Sequence, residues 1–150
     1  MSSQLIVSVS GIRGIIGDSL TPETALPYVR AFAASLEGKK VVLGGDSRPS
    51  RAWLVPLVQA ALVASGKEVH NIGICPTPTV GIMIRKLKAA GGIAITASHN
   101  PIVYNGLKFF HDGGEFFTAQ HNARVKKILE KGQWLNPGVE GTGRVVEEPG

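Results

Sequence analysis

Short apolar runs alternate with segments of helical periodicity along most of the chain. Runs rich in small and β-branched residues predict strands, which lie at residues 40–44, 68–72, 92–96 and 106–110. Apolar residues spaced three or four positions apart predict helices, which begin near residues 22, 50, 80 and 118. This alternation favours an α/β fold with a mixed, mostly parallel four-stranded sheet covered by helices on both faces, in three α/β/α layers.

Local signals mark where the helices begin. Thr21 is a candidate N-cap in front of Pro22, and Thr118 is a candidate cap of the last helix. Pro27 and Pro56 fall inside the first two predicted helices. Because proline lacks an N–H group, we expect a kink or a delayed start at each of them.

The two ends of the chain depart from this pattern. Over residues 5–17 a strand-like run leads into the glycine-rich segment Gly11–Gly14, which predicts a loop. From Gly132 onward the chain is rich in Gly, Pro and Glu and lacks periodicity. We therefore predict one domain over residues 1–131 and a truncated linker over residues 132–150 that leads to a missing second domain.

Composition indicates one globular domain, because 43% of the 150 residues are hydrophobic and only 18% are charged. The net charge of +5 suits an anionic ligand such as a phosphosugar, or a nucleic acid. Scattered basic residues and few aromatic ones argue against nucleic acid. The single cysteine, Cys75, excludes an internal disulfide and suggests a reduced, cytoplasmic setting. Neither a signal peptide nor a membrane span is expected.

Unusual polar residues follow three of the predicted strands. They lie in the loops Gly45–Arg48, Pro76–Pro78 and Thr96–Pro101. Ligands of open α/β sheets bind at the carboxyl ends of strands, so these loops should converge on one edge if the strands are parallel. The segment around Arg13 could join them.

The loop Thr96–Pro101 carries the most reactive side chains. Ser98 could act as a nucleophile or phosphate carrier, and His99 could exchange a proton near neutral pH. Arg13 and Lys108 supply positive charge for a dianionic phosphate. These residues therefore indicate phosphate chemistry, although a Ser-His-Asn-Pro string is also typical of an ordinary turn.

Structural roles stay open for several polar residues. Sequence neighbours rarely form a nucleophile–base pair, which argues against a dyad of Ser98 and His99. One hypothesis is that Asp46 has no role beyond capping or bracing its own loop. His70 lies inside a predicted strand, which favours a structural role.

Four motifs together resemble the first domain of the α-D-phosphohexomutase family, which includes phosphoglucomutases and phosphomannomutases. Ser10–Gly14 is similar to the arginine loop of the family, and Gly45–Arg48 to its Gly-Asp-x-Arg loop. Pro76–Pro78 matches its Pro-Thr-Pro turn. The long segment Gly92–Lys108 contains its phosphoserine signature, TASHNP followed by YNGLK.

The resemblance implies that Ser98 carries a phosphoryl group, with a charge of about −1.5 to −2 at pH 7. A hexose 1-phosphate accepts this group to form a bisphosphate, whose other phosphate returns to Ser98 as the 6-phosphate leaves. Arg13 and Lys108 match positions that hold the charge and assist proton transfer. His99 and Asn100 match positions beside the phosphoserine, so all five residues are expected to bind phosphate or substrate.

The resemblance also implies a Mg²⁺ ion and a hexose 1,6-bisphosphate activator. A phosphate oxygen on Ser98 would be one metal ligand, whereas the others would come from a second domain. Sugar and phosphate recognition would come from a third and a fourth domain. We therefore expect this chain to work with three further domains and to have no mutase activity by itself.

The sugar and two other functions remain open at this point. Thr96 favours a glucose or mannose mutase over a phosphoglucosamine mutase, which remains the alternative. A non-catalytic phosphate-binding module would also use these charges. A Ser-His hydrolase is a further alternative, but the chain lacks a Gly-x-Ser-x-Gly motif.

Overall fold

The computed structural model describes residues 3–148. Within this range the strands are β1 (Ile6–Ser8), β2 (Gly11–Ile15), β3 (Lys40–Gly45), β4 (Glu68–Ile74), β5 (Gly91–Ile95), β6 (Tyr104–His111) and β7 (Arg144–Glu147). The α-helices there are α1 (Pro22–Ser35), α2 (Arg51–Ala64), α3 (Thr77–Leu87) and α4 (Ala119–Lys131). No helix in this range is both long and apolar enough to cross a membrane.

All strands of the described range form one mixed sheet in the order β1-β2-β6-β5-β3-β4-β7. The pairings β5–β3, β3–β4 and β4–β7 are parallel, and β1–β2, β2–β6 and β6–β5 are antiparallel. The α/β class is confirmed, but the prediction of four mostly parallel strands is wrong. No helix separates β5 from β6, and a direct connection of this kind returns the chain antiparallel.

Helices cover both faces of the sheet, so the three-layer prediction is confirmed. Along β3, Val41 and Leu43 point to the core beneath α1, α2 and α4, whereas Val42 points to the core beneath α3. This alternation follows from the two-residue period of a strand. In the larger core the rings of Phe32 and Phe109 stack with centroids 4.8 Å apart.

The glycine-rich segment near the start forms strand β2, so the prediction of a loop there is wrong. Gly11 lies opposite Lys108 of β6, with a φ of +151°. A Cβ atom at Gly11 would collide with the carbonyl oxygen of Leu107. The glycine therefore permits a close approach of two backbones inside the sheet, which its local sequence does not distinguish from a turn.

The predicted starts of α1 and α4 are confirmed. Thr21 caps α1 in a reciprocal capping box with Thr24, and Thr118 caps α4. Helices α1 and α2 run without interruption through Pro27 and Pro56, so neither start is delayed. Each proline removes one hydrogen bond from a helix that tertiary packing still stabilises.

Helix α3 begins at Thr77, three residues before the predicted start at Val80. Pro76 is its N-cap, and Pro78 lies within its first turn. Proline fits there because the first N–H groups of a helix have no partner within the helix. The Pro-Thr-Pro motif therefore begins a helix, and the prediction of a loop at Pro76–Pro78 is wrong.

The tail adds an edge strand, which the prediction of a linker over residues 132–150 had not anticipated. Strand β7 pairs with β4 in parallel, with Glu68 opposite Arg144. Arg144 Nε donates to Glu68 Oε1 at 2.8 Å. His70 lies buried between the carboxylates of Glu68 and Glu148, which supports its predicted structural role. The domain boundary at residue 131 stays a prediction.

Candidate active site

The loops that follow β3 and β5 lie side by side, because these strands are parallel neighbours. The backbone N–H of Asp46 donates to the carbonyl oxygen of Ile95 at 3.0 Å. The Thr96 hydroxyl donates to Asp46 Oδ2 at 2.9 Å. The segment after β4 is also close, since the N–H of Cys75 donates to the carbonyl oxygen of Gly45 at 2.9 Å. The predicted convergence of these segments is therefore confirmed.

Ser98 is exposed in the loop after β5, in an unusual backbone conformation. Its φ is +56°, which is a left-handed conformation that costs a serine free energy. Its backbone N–H donates to the hydroxyl of Thr96 at 3.1 Å. The turn is closed by Asn100, whose side-chain amide donates to the carbonyl oxygen of Ala97 at 2.7 Å.

Lys108 is the side chain that meets the Ser98 hydroxyl. Its Nζ donates to Ser98 Oγ at 2.9 Å. It lies on β6 opposite Ala94 of β5, so the antiparallel pair brings it back beside the Ser98 loop. Its ammonium also lies 5.3 Å from the centre of the Phe116 ring, a cation–π distance. This arrangement can stabilise negative charge on the serine oxygen.

Arg13 lies on β2, one strand beyond Lys108. It is opposite Gly106, and Gly11 is opposite Lys108, so both basic side chains leave the same face of the sheet. Within residues 3–148, Arg13 Nε is buried and has no hydrogen-bond partner. An unpaired buried donor of this kind costs the folded state free energy.

His99 and Asn100 differ in their contacts, since the Asn100 side chain binds the backbone of its own loop. The His99 side chain is exposed beside Ser98, and within the described residues its ring forms no hydrogen bond. Ser98 Oγ is bound by Lys108, and the geometry therefore offers no support for a Ser98–His99 dyad. The predicted phosphate-binding roles of both residues stay predictions.

Arg48 was not selected as a site residue from the sequence, yet it lies against the Ser98 loop. Its guanidinium donates to the carbonyl oxygens of Ser98 and Asn100 at 3.0 and 2.8 Å. Asp46 accepts from the backbone N–H and from Nε of Arg48, at 3.1 and 3.2 Å. Asp46 therefore braces this pair of loops, as its structural interpretation had proposed. The Gly-Asp-x-Arg motif was the available signal for Arg48.

Depressions lie at both ends of the sheet. One of about 380 Å³ adjoins the Ser98 loop and is lined by Ser47, Pro49 and Ile102, among others. A wider groove of about 1030 Å³ lies at the far end and is lined in part by Lys40, Ala90 and several residues of α4 and the tail. None of the predicted site residues lines the wider groove, whereas Asn100 lines the smaller depression together with Asp46 and Arg48.

The family profile described as "Phosphoglucomutase/phosphomannomutase, alpha/beta/alpha domain I" matches residues 4–136. This range includes all of the motifs on which the resemblance was based. The chain belongs to the phosphoglucomutase/phosphomannomutase family. The resemblance drawn from the sequence is thereby confirmed, as is the α/β/α architecture.

Curated relatives in this family carry the name of a sugar mutase. The chain is 41% identical over 125 residues to a probable phosphoglucosamine mutase of Thermococcus gammatolerans, covering 83% of this chain and 28% of the relative. It is 42% identical over 147 residues to a phosphoglucosamine mutase of Caldanaerobacter subterraneus, covering 95% and 33%. The chain therefore spans about a third or less of the length of these relatives.

Solved structures of the family share this fold. A phosphoglucomutase/phosphomannomutase family protein of Burkholderia thailandensis superposes with a TM-score of 0.81 at 28% identity, covering 98% of this chain and 33% of that one. A putative phosphomannomutase of Thermus thermophilus gives a TM-score of 0.77 at 28% identity, covering 98% and 34%. In both proteins the matched region is one part of a longer chain.

Proposed function

We propose that this chain is the phosphoserine-bearing domain of a phosphohexomutase, which interconverts hexose 1-phosphate and hexose 6-phosphate through a bisphosphate. Ser98 is the phosphoryl carrier. The observation that carries the proposal is the hydrogen bond from Lys108 Nζ to the exposed Ser98 Oγ, at 2.9 Å, in a chain of this family.

The proposed reaction has two transfers at one oxygen. In the first, the bond between Ser98 Oγ and phosphorus breaks, a new bond forms to the free hydroxyl of the hexose 1-phosphate, and the hydroxyl proton ends on Ser98 Oγ. After the bisphosphate reorients, Ser98 Oγ attacks its other phosphorus, and the bond from that phosphorus to the C1 oxygen of the sugar breaks. The Ser98 proton passes to that oxygen, and hexose 6-phosphate leaves. Lys108 stabilises the negative charge on Oγ and can deliver the proton there. His99 is the second candidate for proton exchange.

In this proposal Arg13 is the second positively charged side chain, after Lys108, that binds the phosphate. Its position on the same sheet face as Lys108 supports this role. A phosphoryl group in transit spreads negative charge over its outer oxygens, and fixed cations stabilise that charge without reorganising. Asn100 would contribute a neutral contact beside the phosphoserine.

The side chains present fit Mg²⁺ only in part. Across residues 3–148, no group of three or more His, Cys, Asp or Glu side chains could hold a metal ion. Asp46, in the loop after β3, already accepts hydrogen bonds from Arg48 and Thr96. A phosphate on Ser98 would therefore offer an oxygen ligand to an ion whose other ligands lie in further domains. When bound, such an ion would neutralise phosphate charge.

The preferred hexose is to be decided by comparing the kinetics of the three candidate sugars. Thr96 had favoured glucose or mannose, but its hydroxyl binds Ser98 and Asp46, a role that a serine hydroxyl could also fill. The names of the curated relatives favour glucosamine. Values of kcat/KM for glucose, mannose and glucosamine 1-phosphates in the full-length protein would rank the three sugars.

The carrier role is tested by intact mass and peptide mapping of the full-length protein, before and after incubation with glucose 1,6-bisphosphate. We expect one phosphate, located on Ser98. Ser98→Ala should lose both phosphate and turnover, whereas Ser65→Ala, at the far end of α2, should keep them. An active enzyme without phosphate on Ser98 would refute the mechanism.

The dependence on other domains has its own test. We expect the 150-residue chain to show no mutase activity with any of these sugars, because the proposed metal and sugar ligands lie elsewhere. Appreciable turnover by the purified chain, abolished by Ser98→Ala, would contradict this expectation.

A further inference from the structure

The guanidinium of Arg48 donates hydrogen bonds to backbone carbonyl oxygens along the whole Ser98 loop. Besides the carbonyl oxygens of Ser98 and Asn100, it donates to those of Pro101 at 2.7 Å and Tyr104 at 3.1 Å. Its side chain is only 13% exposed. One rigid planar group therefore fixes four carbonyl oxygens over seven residues of loop, a pattern that the compact ammonium of a lysine cannot reproduce.

Both peptide groups that flank the Ser98 Cα atom depend on the pair of Asp46 and Arg48. On the N-terminal side, the N–H of Ser98 donates to the Thr96 hydroxyl, which in turn donates to Asp46. On the C-terminal side, the carbonyl oxygen of Ser98 accepts from Arg48, which also donates to Asp46. The left-handed conformation of Ser98 is therefore held from both sides by one ion pair.

This arrangement has a consequence for the Ser98 hydroxyl. A serine at a φ of +56° persists only where its surroundings impose that conformation. Without the carbonyl contacts, the loop could relax, and Oγ would leave its place 2.9 Å from Lys108 Nζ. Phosphoryl transfer is sensitive to such displacement, because a shift of about 1 Å can cost about 10²-fold in rate.

We propose that Arg48 is a positioning residue for phosphoryl transfer, which holds Ser98 in its strained conformation with Oγ facing Lys108. This inference rests on the proposed function. Arg48 acts through backbone carbonyl groups, and its hydrogen bonds do not involve the reacting oxygen. The planar geometry of the Arg48 guanidinium is therefore needed for this role, as well as its positive charge.

The test compares Arg48→Lys and Arg48→Ala with the wild type, in the full-length protein. We expect kcat to fall about 10²-fold in both variants, with little change in KM. The rate at which glucose 1,6-bisphosphate phosphorylates Ser98 should fall in parallel. Millimolar guanidinium should restore part of the activity of Arg48→Ala, whereas methylammonium should not, because only guanidinium has the planar set of donors.

A matched control is Arg85→Lys. Arg85 also donates to a backbone carbonyl oxygen, that of Gly113 at 3.3 Å, but it lies at the end of α3 and away from Ser98. Its replacement should leave kcat and phosphorylation unchanged. Thermal unfolding of every variant would show whether the fold is intact.

Each contrary result has a distinct meaning. If the wild type carries phosphate on Ser98 and the Arg48 variants keep its kcat, the positioning role is wrong and the proposed function stands. If kcat falls only as far as the folded fraction falls, without rescue by guanidinium, Arg48 is merely structural and the inference is again wrong. If the active wild type never acquires phosphate on Ser98, the proposed function fails, and this inference fails with it.

Discussion

Lys108 and Ser98 are ten residues apart in the chain, yet Lys108 Nζ donates a hydrogen bond to Ser98 Oγ at 2.9 Å. The antiparallel return of β6 along β5 creates this contact, since Ala94 lies opposite Lys108. Ser98 lies in the loop that follows β5, whereas Lys108 lies on the neighbouring strand β6. A cation on a strand is held more rigidly than one on a loop, which suits a reaction that depends on fixed charges.

Lys108→Met should lower kcat of the full-length protein by about 10²–10³-fold, because it removes a fixed donor from the oxygen that gains charge. Steady-state kinetics with saturating sugar phosphate would measure this loss. Lys127→Met, an exposed position of α4, is the matched control and should retain the wild-type kcat. A Lys108→Met enzyme as fast as this control would exclude the proposed role of Lys108.

Gly106→Ala should destabilise the domain by about 1–3 kcal/mol, because overpacking forces backbones apart. A Cβ atom at Gly106 would lie 2.5 Å from the carbonyl oxygen of Ile12 and 3.1 Å from that of Thr96. Urea unfolding of the chain would measure the change in free energy. Gly138→Ala has no heavy atom within 4 Å of the new Cβ and should be nearly neutral. Equal stability of the two variants would contradict the close backbone approach.

Glu68 should contribute stability that disappears in acid. Hydrogen bonds from His70 and Arg144 lower the pKa of Glu68 from 4.5 to about 2. Because the folded state holds this carboxylate ionised, its contribution is complete above pH 4.5 and is lost as the pH falls towards 2. The free energy of unfolding, measured from pH 6 to pH 2, should depend less on pH in Glu68→Gln than in the wild type.

The same experiment has two internal checks. Glu130→Gln, at an exposed position of α4, should keep the pH dependence of the wild type. Since Glu68 is partly exposed, high salt should weaken its effect. A Glu68→Gln profile parallel to that of the wild type would show that this link between β4 and β7 contributes nothing.

His121 should make α4 sensitive to mild acid. Its Nδ1 accepts a hydrogen bond from the backbone N–H of Thr118 at 3.1 Å, which requires a neutral ring. Burial and the nearby His111 lower the pKa of His121 below its usual 6.5, against an opposing effect of Asp112. The unfolded chain therefore takes up the proton first, and stability present above pH 6.5 is lost as the pH falls below it.

His121→Gln should remove this dependence while keeping the cap, because glutamine also accepts a hydrogen bond in a capping box. Thermal unfolding between pH 5 and pH 8 would show a flatter profile for this variant. His99→Gln, an exposed histidine elsewhere, serves as the control for stability and should follow the wild type. A steeper profile for His121→Gln would reverse the assigned sign.

Some elements could be predicted because their signals are local. Thr21 and Pro22 mark the start of α1, since capping and proline geometry act within one turn of the chain. The apolar run of β3 was predicted to within one residue of its observed end, Gly45. The motif around Ser98 also identified the family before any partner of that serine was known.

Other elements depend on partners far away in the chain. Strand β2 resembled a loop because its glycines permit a close approach to the backbone of β6, which the local sequence does not reveal. Strand β7 was missed because its four residues gain their hydrogen bonds from β4, more than seventy positions earlier. The number and direction of strands followed from such pairings, which no local window contains.

By itself, the sequence determined the α/β class, the starts of α1 and α4, the family and the candidates Ser98 and Lys108. Only the tertiary structure decided that Lys108 meets Ser98 Oγ and that Arg48 holds the loop between them. The physical reason is that capping, helical periodicity and motif chemistry act over a few residues. A hydrogen bond from Arg48 to the carbonyl oxygen of Ser98, fifty positions away, exists only once the sheet has brought two loops together.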